Sequence, residues 1–168
     1  MASETSDKSK AAFKEAEARI QKALKKRAKA LDLSVLGLTE LPESIGQLTQ
    51  LQRLRLDSNQ LTSVAESLGQ LTQLHVLYLG MNQLTSMPES LCQLTRLRTL
   101  FLFHNQLTSV PEFLGQLTRL QGLYLSDNRL RALPKSLREL TALERLLLHG
   151  NPALGMPAEV LGPRSLSE

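Results

Sequence analysis

The chain repeats itself every 23 residues. The stretches NQLTSMPESLCQLTRLRTLFLFHNQL and NQLTSVPEFLGQLTRLQGLYLSDNRL, which begin at Asn82 and Asn105, are near copies of each other. Six such units tile residues 28–165 (28–50, 51–73, 74–96, 97–119, 120–142 and 143–165). Only residues 1–27 and a tail at 166–168 lie outside them. A short fixed period is the signature of a solenoid, in which each coil touches only its neighbours. Such a chain has a long, repeated, exposed surface in place of one central pocket, and function is sought on that surface.

Numbered from Ala28, Leu51, Leu74, Leu97, Leu120 and Leu143, each unit follows L-x-x-L-x-L-x-x-N-x-L and then a proline-containing stretch. The pairs Leu54 and Leu56, Leu77 and Leu79, Leu100 and Leu102, Leu123 and Leu125, and Leu146 and Leu148 alternate with other residues. Period two makes a short strand with leucines on one side. Strands that return in one direction at a fixed interval form a parallel sheet, with neighbours about 4.8 Å apart. Asn59, Asn82, Asn105, Asn128 and Asn151 recur at the ninth position. An amide there is expected to bond backbone groups freed as the chain leaves the strand, in its own unit and the next. On the opposite side Pro42, Pro88, Pro111, Pro134 and Pro157 share one position, with Ala65 as the exception. Proline suits the first residue of a short helical turn, and the Glu that follows at 43, 66, 89 and 112 suits its N-terminus. Gly46, Gly69 and Gly115 are expected to end these turns. Cys92 takes the glycine position in its unit as a tolerated small residue, and Phe113 stands as a wedge where four other units have Ser.

This pattern resembles the leucine-rich repeat, over about four-fifths of the chain. The units with LTxLPExLGQL on the back are similar to intracellular repeats of bacterial proteins and Ras-pathway scaffolds. The resemblance implies an α/β leucine-rich-repeat solenoid, a horseshoe arc with a parallel concave sheet and short helical or 3-10 convex segments. It also implies a non-enzymatic module of scaffold or signalling type. The ending LLLHGNPALGMPAEVLGP resembles the junction at which repeat domains of bacterial Roco-type proteins lead into a GTPase domain. This chain holds no such domain, so the resemblance implies the regulatory portion of a larger signalling enzyme.

A solenoid needs caps over its terminal leucines. Residues 7–28 read as an amphipathic helix with Phe13, Ala16, Ile20, Ala23 and Leu24 on one stripe, and Ser6 or Asp7 as its N-cap. Packed on the first repeat, it would cover Leu36, which replaces the ninth-position Asn there. The net charge of +4 is uneven: residues 1–30 hold nine Lys or Arg and four Asp or Glu, and the repeats are close to neutral. Lys22, Lys25, Lys26, Arg27 and Lys29 could draw nucleic acid or an anionic membrane surface. Their alternation with Ala and Glu favours a solvated helix face, so nucleic acid is not the expected partner.

The candidate surface is the strand face turned away from the leucines. Its fifth position carries Asp32, Arg55, Tyr78, Phe101, Tyr124 and Leu147. The seventh and eighth add Asp57, Ser58, Met81, Phe103, His104, Asp127 and His149, and the third adds Arg53, Val76, Thr99 and Arg145. A stripe of rings with Arg, Asp and His around it suits a protein partner, through aromatic and Arg anchors within a polar rim. The expected partner-binding residues are Arg53, Arg55, Asp57, Tyr78, Met81, Phe101, Phe103, His104, Tyr124, Asp127, Leu147 and His149. That partner is a protein, or another domain of a longer parent. His104 and His149 lie two strands apart, about 10 Å, which is too far for joint metal ligation without further ligands. The chain has no P-loop, G-x-S-x-G or H-E-x-x-H motif, and its one cysteine, Cys92, forms no internal disulfide. No catalysis, cofactor or metal is expected. The start lacks a Sec-type signal and no run reaches membrane-span length, so the expectation is a cytoplasmic monomer.

Overall fold

The computed structural model describes residues 2–155, and their side chains from residue 7 onward. Six three-residue strands stack in chain order as one parallel sheet: β1 (Ala30–Asp32), β2 (Arg53–Arg55), β3 (Val76–Tyr78), β4 (Thr99–Phe101), β5 (Gly122–Tyr124) and β6 (Arg145–Leu147). Every pair is in register at the repeat length, so that Leu31, Leu54, Leu77, Leu100, Leu123 and Leu146 align. The central leucines of β1–β5 are buried, as are Leu56, Leu79, Leu102 and Leu125 just beyond the strands. They meet Leu61, Leu84, Leu107 and Leu130, and Ile45, Leu68, Leu91 and Leu114 from the far side, in one continuous core.

The far side is made of 3-10 turns at Glu43–Gln47, Glu66–Gln70, Glu89–Gln93, Glu112–Gln116 and Lys135–Glu139. Proline sits one residue ahead of four of these turns and not inside them. Its carbonyl accepts the first turn bond, from Ile45 to Pro42 at 3.1 Å and from Leu114 to Pro111 at 3.1 Å, and Ala65 serves the same way. The glycines do not end the turns, as the sequence suggests. Gly46, Gly69 and Gly115 lie within them, buried against the next coil. A Cβ on Gly69 would stand 2.5 Å from the Ser90 carbonyl oxygen, and one on Gly115 2.6 Å from Ser136 Cβ. These glycines let adjacent turns interlock. In the register they set, Cys92 faces Phe113, a half-buried ring packed on the core.

Each ninth-position amide stitches two coils. Asn105 donates through Nδ2 to the carbonyls of Leu79 (2.9 Å) and Leu102 (3.0 Å), and its Oδ1 accepts from the Leu84 N–H (2.9 Å). Asn82, Asn128 and Asn151 repeat this pattern, and Asn59 accepts from both Leu36 and Leu38. The eighth residue of each coil is left-handed: Val35, Ser58, Met81, His104 and Asp127 have φ of 58°, 58°, 55°, 50° and 54°, and Gly150 has 70°. This bends the chain out of the strand while the N–H still donates to the next coil, as from Met81 to the Phe103 carbonyl at 2.9 Å. Non-glycine residues adopt this conformation at some cost, and the sequence pattern does not announce it.

The helix α1 (Ala2–Lys25) lies over the first coil. Ala12, Ala16, Ile20 and Ala23 are its buried stripe, while Phe13 and Leu24 are half-buried. Hydrogen bonds from Ser44 Oγ to Glu17 (2.5 Å) and between Ser9 and Thr39 (2.7 Å) fix it to that coil. Ser6 and Asp7 lie inside the helix, which continues back to Ala2, so neither is an N-cap. Pro157 and the second part of the Roco-like ending, residues 156–163, lie outside the described residues.

Two substitutions test the stitching. Asn105→Ala leaves three buried backbone groups without their partner and should cost about 3 kcal/mol in urea unfolding. Gly69→Val drives a side chain into Ser90 and should cost about 2 kcal/mol in the same assay.

Candidate partner-binding face

All the candidate residues lie at or beside the sheet face turned from the core, but they do not form one uniform surface. The register places Arg55, Tyr78, Phe101, Tyr124 and Leu147 side by side on successive strands. Tyr78 and Phe101 stack with ring centroids 4.6 Å apart and planes 8° apart, and Phe101 and Tyr124 follow at 4.4 Å and 21°. The Arg55 guanidinium closes one end, 5.5 Å from the Tyr78 ring centre. Phe103 meets Phe101 edge-on at 6.4 Å and 87°. Such contacts suit the ring quadrupole, and with the faces turned on one another the stack presents edges outward.

Two glycines make room for these rings, and the sequence reading passed over both. A Cβ on Gly80 would lie 2.7 Å from the Phe103 ring, and one on Gly122 would lie 2.9 Å from the Tyr124 ring. The signal was available one repeat away: Gly80 occupies in its coil the position of Phe103 in the next. Tyr78, Phe101 and Phe103 are half-buried, but Tyr124 is only 7% exposed. The expectation of an outward-facing Tyr124 needs correction. Settled over Gly122 and flanked by Phe101 and Leu147, it supports the stack and offers a partner little surface.

Charge brackets the rings. Arg55 donates from Nε and Nη2 to the two Asp57 carboxylate oxygens, both at 3.1 Å, and lies 3.7 Å from Asp32. The Asp57 bond raises the Arg55 guanidinium above its usual range. The Asp32 carboxyl is held below its usual range, first by the Ser34 hydroxyl, then by the Ser34 N–H and Arg55. Arg53 is exposed at the start of β2, and Met81 is 53% exposed, its sulfur accepting from the Ser58 hydroxyl at 3.5 Å.

At the other end the two histidines lean toward one carboxylate. Asp127 Oδ2 lies 3.6 Å from His104 Nε2 and 3.9 Å from His149 Nε2. The strand spacing alone does not reveal this, because Asp127 stands on the coil between them. His149 is turned by the buried Ser126, whose hydroxyl lies 3.2 Å from Nδ1, a residue the sequence reading did not single out. Among the described residues no three His, Cys, Asp or Glu side chains are grouped to hold a metal ion.

Residues 49–107 match the family model described as leucine rich repeat, and residues 95–135 match that described as leucine rich repeats in two copies. With the in-register coils, these matches show that the chain belongs to the leucine-rich-repeat family, and they indicate no enzymatic family. Among solved structures it is similar to a leucine-rich-repeat protein of Leptospira interrogans, with 36% identity and a TM-score of 0.65 over 78% of this chain and 40% of that one. It is also similar to the ectodomain of the plant membrane receptor kinase GASSHO1/SCHENGEN3 from Arabidopsis thaliana, solved in complex with Casparian strip integrity factor 2. That pair has 36% identity and a TM-score of 0.69 over 77% of this chain and 16% of the other. An internalin from Listeria monocytogenes shares the fold at 24% identity and a TM-score of 0.61, over 74% of this chain and 35% of that one. The chain spans less than half the length of each of these proteins. No curated protein sequence matches it. Among the described residues no helix is long and apolar enough to cross a membrane.

The support role of Gly122 is open to test. Gly122→Val should displace the Tyr124 ring, diminish the near-ultraviolet circular dichroism of the stack and cost about 2 kcal/mol of stability. Unaltered spectra and stability would contradict the close approach of ring and backbone.

Proposed function

We propose that this chain is a non-enzymatic scaffold that holds a protein partner on its sheet face. One observation carries the reading: Tyr78, Phe101 and Phe103 form an ordered apolar ridge on that face, bracketed by Arg55–Asp57 and by His104–Asp127–His149. Half-buried rings held in fixed positions lose little conformational freedom on binding, and such rings are typical interface anchors. Arg53, Met81 and Leu147 flank the ridge, and the charged groups set orientation. The GASSHO1/SCHENGEN3 ectodomain, a repeat structure of similar fold, was solved in complex with a partner, which supports the same use here. The single cysteine accords with a reducing cytoplasm, where a signalling role would place the chain.

A second reading, as the regulatory part of a larger enzyme such as a Roco-type GTPase, is favoured by the resemblance of residues 146–163 to such a junction. The two differ in the native product: a species near 18.7 kDa in source lysate argues against the second.

Capture from source lysate tests the first. Tyr78→Ala/Phe101→Ala/Phe103→Ala should lower recovery of the captured partner by more than about tenfold, because each anchor is worth about 2 kcal/mol. The helical and strand circular dichroism should be retained. Equal recovery with wild type and variant would refute a role for the ridge.

A further inference from the structure

The near-neutral charge of the repeats conceals a separation of sign across the first four coils of the solenoid. Five segments, 24–30, 47–53, 70–76, 93–99 and 116–122, lead into β1–β5 and stack as one rim. Their backbones are linked from Lys29 through Gln52, His75 and Arg98 to Gln121 by coil-to-coil bonds of 2.7–2.8 Å. These segments hold eight Lys or Arg (Lys25, Lys26, Arg27, Lys29, Arg53, Arg96, Arg98 and Arg119) and no Asp or Glu. All eight are exposed, and none forms an ion pair among the described residues. The opposite rim is the reverse. Segments 34–43, 57–66, 80–89 and 103–112, which leave the first four strands, hold six Asp or Glu and no Lys or Arg.

Cations aligned on coils about 4.8 Å apart lie well within one screening length of each other. Their mutual repulsion is relieved by a multivalent anion, and their summed field draws one in. The rim is also indented. A hollow of about 620 Å³ between the end of α1 and the first coil is lined by Leu24, Ala28 and Leu48 together with Arg27, Lys29 and Gln50. A second, of about 280 Å³, is lined by Lys29, Arg53, His75 and Val76. Lys29 is common to both, so the hollows adjoin.

We infer that this basic rim is a docking surface for an acidic polypeptide segment, with one apolar side chain seated in the hollow at Leu24 and Leu48. The surface adjoins the ring-lined sheet face at Arg53 and includes none of its rings. Two observations favour polypeptide over nucleic acid. Single-stranded nucleic acid gains affinity by stacking on exposed rings, and the rings of this molecule are stacked on one another across the sheet. The larger hollow also carries aliphatic walls between its cations, which suit a Leu or Met between carboxylates. From the first coil to the fifth the rim runs about 20 Å, the reach of about six extended residues.

The test uses a fluorescein-labelled peptide of glutamates around a single leucine, measured by anisotropy against the whole chain. A thymidine oligonucleotide of equal charge and phosphatidylserine vesicles are run in parallel. The peptide should bind, weaken as salt is raised, and lose about tenfold in affinity when its leucine becomes alanine, by the removed apolar area. Arg27→Glu/Lys29→Glu should lower its affinity by at least about tenfold, and Arg96→Glu/Arg98→Glu by a comparable factor. Tyr78→Ala/Phe101→Ala/Phe103→Ala should leave it unchanged, which keeps this result apart from that of the sheet face. Absence of peptide binding, insensitivity to either charge reversal, or tighter binding of the oligonucleotide or the vesicles would overturn the inference. So would a salt-sensitive oligomer, seen in sedimentation velocity, that the same charge reversals dissolve, since the occupant would then be a second copy of the chain.

Discussion

Two of the three hydrogen bonds made by each ninth-position asparagine side chain hold its coil to the coil before it, and the third closes its own turn. The chain must turn sharply after a three-residue strand, and the turn frees carbonyls and N–H groups inside a leucine core that has nothing to offer them. Buried backbone groups left in that state are costly. The amide at the ninth position satisfies two carbonyls and one N–H together, across the boundary between units. Because every coil leaves its strand at the same residue, every coil also enters its next strand at the same height. The sheet register, the alignment of Tyr78, Phe101 and Tyr124, and the straight run of charges along each rim all follow from that periodic anchoring.

The ring stack depends on the anchoring at one remove. Strands about 4.8 Å apart set side chains at the same position close to the separation of stacked rings, and here the rings lie 4.4–4.6 Å apart. What the repeat cannot supply is room, and glycine supplies it at Gly80 and Gly122. One ring, Tyr124, is thereby drawn down onto the backbone and made part of the support. The face is therefore stiff at its centre and adaptable at its ends, where Arg55, Met81 and His104 remain exposed.

Most of the fold was legible because a repeat multiplies every local signal. Six copies of the leucine pattern fixed strand direction, register and core, and the Asn positions predicted their own bonds. Features that differ from coil to coil, or that involve the coil next door, were harder to read. Gly69 is explained by Ser90, and Gly80 by Phe103, each about one repeat away, so no reading confined to one unit finds them. The approach of His104 and His149 was hidden because strand spacing locates backbones while the imidazoles reach beyond them toward Asp127. The start of α1 was misplaced because a cap-forming residue such as Asp7 is also tolerated within the first turns of a helix, where its charge suits the dipole. The charge polarity was overlooked because summing over the repeats cancels it.

Among the described turns, the interlock of glycine and serine is broken between the third and fourth coils. Gly46 meets Ser67, Gly69 meets Ser90 and Gly115 meets Ser136, but Cys92 and Phe113 stand in the intervening place with bulkier side chains. The turns of the third and fourth coils accordingly meet less closely than the pairs that interlock. On the front, the most nearly parallel pair of rings, Tyr78 with Phe101, spans that same seam. Under tension between its ends this seam would open from behind before the interlocked ones, while the two rings resist as a clasp.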